Sequence, residues 1–117
     1  MRESLKREEI IRRRRDIGAV MSTGKRVDSE PFTLRYKERE ASFPSRRVAF
    51  LLNGKIKGAV VRNRLKRRLR EIFRRNKHWF PSGYDYIIQV RLGAEGLKFD
   101  GLKERLKTLA GKVENVG

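Results

Sequence analysis

Residues 60–75 read VVRNRLKRRLREIFRR, and the fold turns on whether this stretch is a packed helix or a solvated charged rod. Advancing about 100° per residue from position 61 puts Val61, Leu65, Leu69, Ile72 and Phe73 within an arc of about 120°. That stripe faces a core, so a packed helix is expected from about residue 60 to residue 77. Opposite it, Asn63, Arg67, Arg70 and Arg74 stack at spacings of four, three and four. Lys66 and Lys77 border this ridge on one side, and Arg64, Arg68 and Arg75 on the other. Between 62 and 77 nine residues are basic and only Glu71 is acidic. Solvated helices intersperse acids, because each like-charged i, i+3 or i, i+4 pair costs about 0.2–0.5 kcal/mol. A face built this way makes sense where phosphates supply the missing counter-charge. Seven of the nine cations are arginine, whose planar fork grips phosphate oxygens or stacks on bases.

Outward from that helix, the chain alternates short apolar runs with glycine- and proline-marked turns. Upstream, residues 6–22 read as a helix with Leu5, Ile10, Ile17, Val20 and Met21 on one broad side and Gly24 as its stop, interrupted by the run Arg12 to Arg15. PFTLRY, 31–36, alternates as a strand, with Phe32, Leu34 and Tyr36 on one face and Thr33 and Arg35 on the other. Pro31 marks that strand as an edge or marks its beginning. RVAFLL, 47–52, suits a buried strand, and NGKIKG, 53–58, a loop. YDYIIQV, 84–90, is the strongest strand signal. Residues 98–113 form an amphipathic helix through Phe99, Leu102, Leu106, Leu109 and Val113. The order is helix, two or three strands, helix, strand, helix: a single-domain α+β sandwich with helices packed on one sheet, its last residues, 114–117, frayed. If Phe32, Leu34, Ile88 and Val90 face the core, then Thr33, Arg35, Gln89 and Arg91 make the opposite face polar and basic, an open surface or the floor of a cleft.

Composition narrows the partner. Lys and Arg total 31 against 14 Asp and Glu, a net charge of +17 over 117 residues, which attracts polyanions irrespective of their sequence. No apolar run approaches the roughly 18 residues of a spanning helix, and MRESLKREEIIRRRRD lacks the apolar middle of a secretory signal. The absence of cysteine removes disulfides and thiolate metal sites and fits a cytoplasmic setting. Nor does an intrinsic active site emerge. His78 is the lone histidine and ends a helix beside Trp79 and Phe80, and Glu8, Glu9, Glu38 and Glu40 lie in unrelated basic surroundings. Asp85 pairs with an arginine, caps a strand start, or helps hold a hydrated metal at an interface.

The run AVVRNRLKRRLREIFRR, 59–75, closely resembles the protein subunit of bacterial ribonuclease P, a family marked by an Arg-Asn-Arg helix followed by Lys-Arg and Arg-Glu. Here these are Arg62-Asn63-Arg64, Lys66-Arg67 and Arg70-Glu71, and the resemblance extends over most of the chain. It implies an α-β-β-β-α-β-α order with a mostly antiparallel sheet and the Arg-Asn-Arg helix in a left-handed crossover, against the usual right-handed rule. It implies a protein that binds a catalytic RNA through Arg62, Asn63, Arg64, Lys66, Arg67, Arg70 and Arg74. The holoenzyme would remove the 5′ leader of precursor tRNA using Mg2+ held mainly by the RNA, with the protein monomeric in a one-to-one complex. It also implies a leader-binding cleft between the first helix and the open sheet face, assigned here to Ile17, Met21, Arg35, Tyr36, Lys55 and Arg91.

Two places depart from the family pattern. Ile17 and Met21 stand where the family commonly has aromatics, so the leader contact falls partly to neighbours such as Phe32 or Tyr36. The family's Ser-basic-basic-x-Gly loop reads Asn53-Gly54-Lys55-Ile56-Lys57, with Lys55 kept in place for a leader phosphate. Charge alone leaves three other readings open: a ribosomal-type structural RNA binder, a DNA-groove binder and a membrane-surface protein. The arginine ridge opposite a buried stripe argues against the last.

Overall fold

The computed structural model describes residues 5–40 and 44–113. A 3-10 turn at Arg7–Glu9 leads through an extended stretch to helix α1 (Arg14–Thr23), then strands β1 (Lys25–Ser29), β2 (Phe32–Glu38) and β3 (Arg46–Leu52). Helix α2 (Ala59–Arg75) follows, then β4 (Tyr84–Val90) and α3 (Phe99–Gly111). The four strands form one sheet in the order β1-β2-β4-β3. The β1–β2 and β2–β4 pairs are antiparallel and β3–β4 is parallel, so α2 lies in the crossover joining two parallel neighbours.

Strand parity sorts the sheet into two faces. One carries Phe32, Leu34, Tyr36, Val48, Tyr86, Ile88 and Val90, all buried beneath α2 and α3. From α2 come Leu65, Leu69, Ile72 and Phe73, the expected apolar arc, and from α3 Leu102, Leu106 and Leu109. Burying an aliphatic or aromatic side chain of this size contributes about 1.5–3 kcal/mol, and this two-helix layer supplies most of the core. The other face is covered only in part: α1 sets Ile17, Val20 and Met21 against Ala49, Leu51 and Ile87.

Two features differ from the sequence reading. The first helix starts at Arg14 rather than residue 6, because Ile10 and Ile11 are extended along the outer edge of β3. There Ile10 bridges Val48, and the Ile11 amide donates to the Val48 carbonyl at 2.9 Å. That strip blunts an otherwise open strand edge, and it spares the chain a helix running through four consecutive arginines. Strand β1 carries only Val27 as an inward apolar residue, which is why periodicity does not reveal it. Of the two readings of Pro31 the structure has the second: it directly precedes β2, a central strand, and β1 and β3 are the two edges of the sheet. Gly24 ends α1 as expected, and an ideal Cβ there would sit 2.4 Å from the Val20 carbonyl oxygen and 2.9 Å from that of Tyr36. The expected fraying at 114–117 lies outside the described residues.

Candidate nucleic-acid interface

Helix α2 presents its cations as the helical phase predicts. Asn63, Arg64, Arg67, Arg70 and Arg75 are exposed, while Lys66 and Arg74 are half-buried along the border. Glu71 is taken by its own helix: Arg74 donates to it from Nε at 2.9 Å, and Arg75 Nε lies 2.7 Å from Oε1. The hydrogen bonds from Arg74, aided by both charges, hold the Glu71 carboxyl below the usual carboxylate range. No ion pair joins Arg64, Lys66, Arg67 or Arg70 to an acid among the described residues. Their charge is uncompensated at an exposed helix face, the condition under which a polyphosphate binds most strongly.

Arg62 behaves differently. Its phase, about 100° from Val61, puts it inside the buried arc. Its Nη1 donates to the carbonyls of Asn53 (2.9 Å) and Ile56 (2.8 Å). The guanidinium therefore laces the 53–58 loop to the start of α2, where Gly58 takes φ +95 and the Arg62 amide closes the first turn on the Gly58 carbonyl at 2.9 Å. Ile56 is anchored in the core and Lys55 is exposed, its amide donating to Asn53 Oδ1 at 2.8 Å.

The uncovered half of the second sheet face forms a cleft of about 480 Å³. Its floor is Thr33, Arg35, Gln89 and Arg91, the set that strand parity anticipates, and Arg26 and Leu51 extend it. Ile17 and Met21 are not among its lining residues; from α1 they pack against the buried cluster of Ile11, Val20, Ala49 and Ile87. Arg35 Nε donates to Gln89 Oε1 at 3.2 Å, leaving the rest of its fork turned to the cleft. Arg91 is held by two acids and a hydroxyl, donating to Asp28, Glu30 and Thr33. The Thr33 hydroxyl donates to Asp28 at 2.7 Å, and this bond, with Arg26, keeps the Asp28 carboxyl below its ordinary range. Arg26 and Asp28 escape a sequence reading because β1 does; their signal is the register that sets Arg26 opposite Arg35 and Asp28 opposite Thr33. Tyr36 and Phe32 are corrections. Both point into the core on the opposite face of β2, 2% and 0% exposed, so neither reaches the cleft.

A family model described as Ribonuclease P matches residues 5–114 of this chain. The chain belongs to the ribonuclease P protein family. The ribonuclease P protein component of Petrotoga mobilis is 31% identical over 116 residues, covering 96% of this chain and 97% of its own. That of Thermotoga maritima is 33% identical over 118 residues, covering 97% and 99%. The solved Thermotoga maritima RNase P protein superposes with a TM-score of 0.81 at 31% identity, over 92% of this chain and 99% of its own. A Staphylococcus aureus RNase P protein structure, 23% identical, shares the fold with a TM-score of 0.80. Family membership makes this a ribonuclease P protein component acting in tRNA processing, and the ribosomal-type alternative is not favoured.

Within this ribonuclease P protein, Asp85 is an ion-pair hub and not a solvent-facing carboxylate. Arg47 grips it with Nε at 2.8 Å and Nη2 at 2.7 Å, Arg39 adds Nη1 at 2.8 Å, and Arg47 reaches on to Asp16 of α1 at 3.6 Å. Burial pushes the Asp85 carboxyl up, but hydrogen bonds and charge from both arginines outweigh it and hold the group below the usual range. His78 is exposed beside Trp79. No helix among the described residues is long and apolar enough to cross a membrane.

Proposed function

We propose that this chain binds the catalytic RNA of ribonuclease P through the exposed face of α2 and the single-stranded 5′ leader of precursor tRNA in the cleft beside α1. The observation that carries the reading is the exposed set Asn63, Arg64, Arg67 and Arg70, with Lys66 at its border, opposite the buried stripe of α2. A packed helix orients those charges rigidly, so their attraction for phosphates costs little ordering. The deep, narrow major groove of A-form RNA directs such a ridge to backbones and shaped junctions.

In the cleft, Arg35 is the phosphate contact, with Arg26, which also donates to Asp28 at 3.2 Å, beside it, and Ile17 and Met21 of the adjoining α1 offer apolar surface to a base. Asp28 and Glu30 hold Arg91 in reserve as a scaffold for that floor. Magnesium belongs to the RNA in this reading. Asp28 and Asp85 are both committed to guanidinium groups. The protein contributes binding and orientation, as a cytoplasmic monomer bound one-to-one to the RNA, and the RNA with its metal ions carries the hydrolysis.

Reconstitution tests the whole reading. The protein is mixed with a bacterial ribonuclease P RNA at low magnesium and leader removal from a precursor tRNA is followed. Stimulation over RNA alone is expected, and no stimulation at any protein concentration refutes it.

A further inference from the structure

A second groove, of about 500 Å³, lies between the N-terminal segment and the outward face of α2, away from the sheet cleft. Leu5 and Ile10 form one side, and the α2 side carries Asn63, Lys66, Arg67, Arg70, Arg74 and Glu71, whose carboxylate is taken by Arg74 and Arg75. The segment is pinned on both sides of Ile10. The buried Glu9 carboxylate accepts the Lys6 amide at 3.0 Å and Lys77 Nζ at 2.9 Å, while the Ile11 amide bonds Val48. The groove is therefore preformed.

Its chemistry is mixed in a specific way. A duplex backbone tracking along the ridge gains from Arg67 and Arg70 but nothing from Leu5 and Ile10. A nucleotide that has left its stack offers both halves: an apolar base face and, a few ångströms away, anionic phosphates. The Asn63 amide carries a donor and an acceptor suited to a base edge. The volume falls within the range of about 300–1,000 Å³ for small-ligand sites. Resting on the functional reading above, we propose that this groove takes one unstacked nucleotide of the partner RNA, its base against Leu5 and Ile10 and its flanking phosphates on Arg67 and Arg70.

Two measurements on the protein–RNA complex decide this. Leu5→Asn and Ile10→Asn should each weaken binding of a bacterial ribonuclease P RNA about five-fold, the low end for losing a base-stacking surface. The dependence of log affinity on log salt should not change, because no phosphate contact is lost. Arg67→Ala should instead make that slope shallower by about one. Chemical modification of the RNA in the wild-type complex should show an unpaired base protected by the protein, which regains reactivity with Leu5→Asn while backbone protections persist. A footprint of backbone protections alone overturns the proposal, as does unchanged affinity in Leu5→Asn. That variant and the wild-type footprint decide the matter even where Ile10→Asn fails to fold. Poly-glutamate binding should be indifferent to Leu5; if it falls as much as RNA binding does, the groove belongs to an acidic protein partner instead. A wild-type protein that binds no RNA refutes the functional reading itself, whereas intact binding with inert Leu5 and Ile10 variants refutes only the nucleotide groove.

Discussion

Replacing Asp85 by Asn removes one negative charge from a site where three guanidinium nitrogens converge at 2.7–2.8 Å. The Asp85 side chain is 14% exposed and that of Arg39 only 6%, so the two arginines left behind repel each other in a poorly hydrated place. Breaking a buried pair costs about 3–5 kcal/mol. Arg47, at 23% exposure, is partly hydrated and keeps Asp16 at 3.6 Å as a second partner, which brings the expected loss to about 2–3 kcal/mol. Urea denaturation followed by circular dichroism should show a lower midpoint with an unchanged m-value.

The pH dependence follows from the same carboxylate. Its folded pKa lies below its unfolded value, near 3.9 for a free Asp, so its stabilisation is complete above that value and disappears as pH falls through the folded pKa. The gap between wild type and Asp85→Asn should be constant from pH 7 to about pH 5 and close below about pH 4. A loss under about 0.5 kcal/mol, the size of an ordinary surface substitution, or a gap that persists at the acid end, refutes the assignment of Asp85 as a charge hub.

Other outcomes follow from the same geometry. The double variant Arg67→Ala/Arg70→Ala should keep the wild-type circular dichroism spectrum yet bind RNA with a salt slope shallower by about two, one per phosphate released; an unfolded variant would contradict the outward placement. Arg62→Ala should lower stability by about 1–2 kcal/mol, having lost hydrogen bonds from a charged donor to two carbonyls, and should speed proteolysis within 53–58; cleavage no faster than wild type would dissociate Arg62 from that loop. Met21→Ser or Arg35→Ala should reduce affinity for leader-bearing precursor by about five-fold or more with little change for mature tRNA, and equal losses for both would remove the leader from this cleft.

Much of the site was readable in the order of residues. The α2 stripe and ridge follow from a period near 3.6, and the floor of Thr33, Arg35, Gln89 and Arg91 follows from a period of two, since both are rigid consequences of local backbone geometry. Arg62 was readable too, in that its helical phase places it on the buried side, although the Arg-Asn-Arg motif groups it with the exposed cations. Tyr36 shows the same conflict: the alternation of β2 aims it into the core, and only a search for aromatics near Ile17 and Met21 draws it to the cleft.

What periodicity could not supply came from contacts between residues far apart in the chain. KRVDS has no apolar alternation, and β1 exists because the edge of β2 offers hydrogen-bond partners in register from Lys25 to Ser29. REEII reads as helix, yet Ile10 and Ile11 lie flat because the rim of β3 offers Val48. Those two strips add Arg26 to the sheet cleft and Ile10 to the second groove. Periodicity and the Arg-Asn-Arg motif were enough for the core helices, the phase of their charges and the family. Which acids neutralise which arginines depends on the folded arrangement, which leaves Arg67 and Arg70 uncompensated while Arg47 and Arg91 are spent. Ion pairing is a matter of a few ångströms between side chains as distant in sequence as Arg91 and Asp28, and no local pattern encodes that distance.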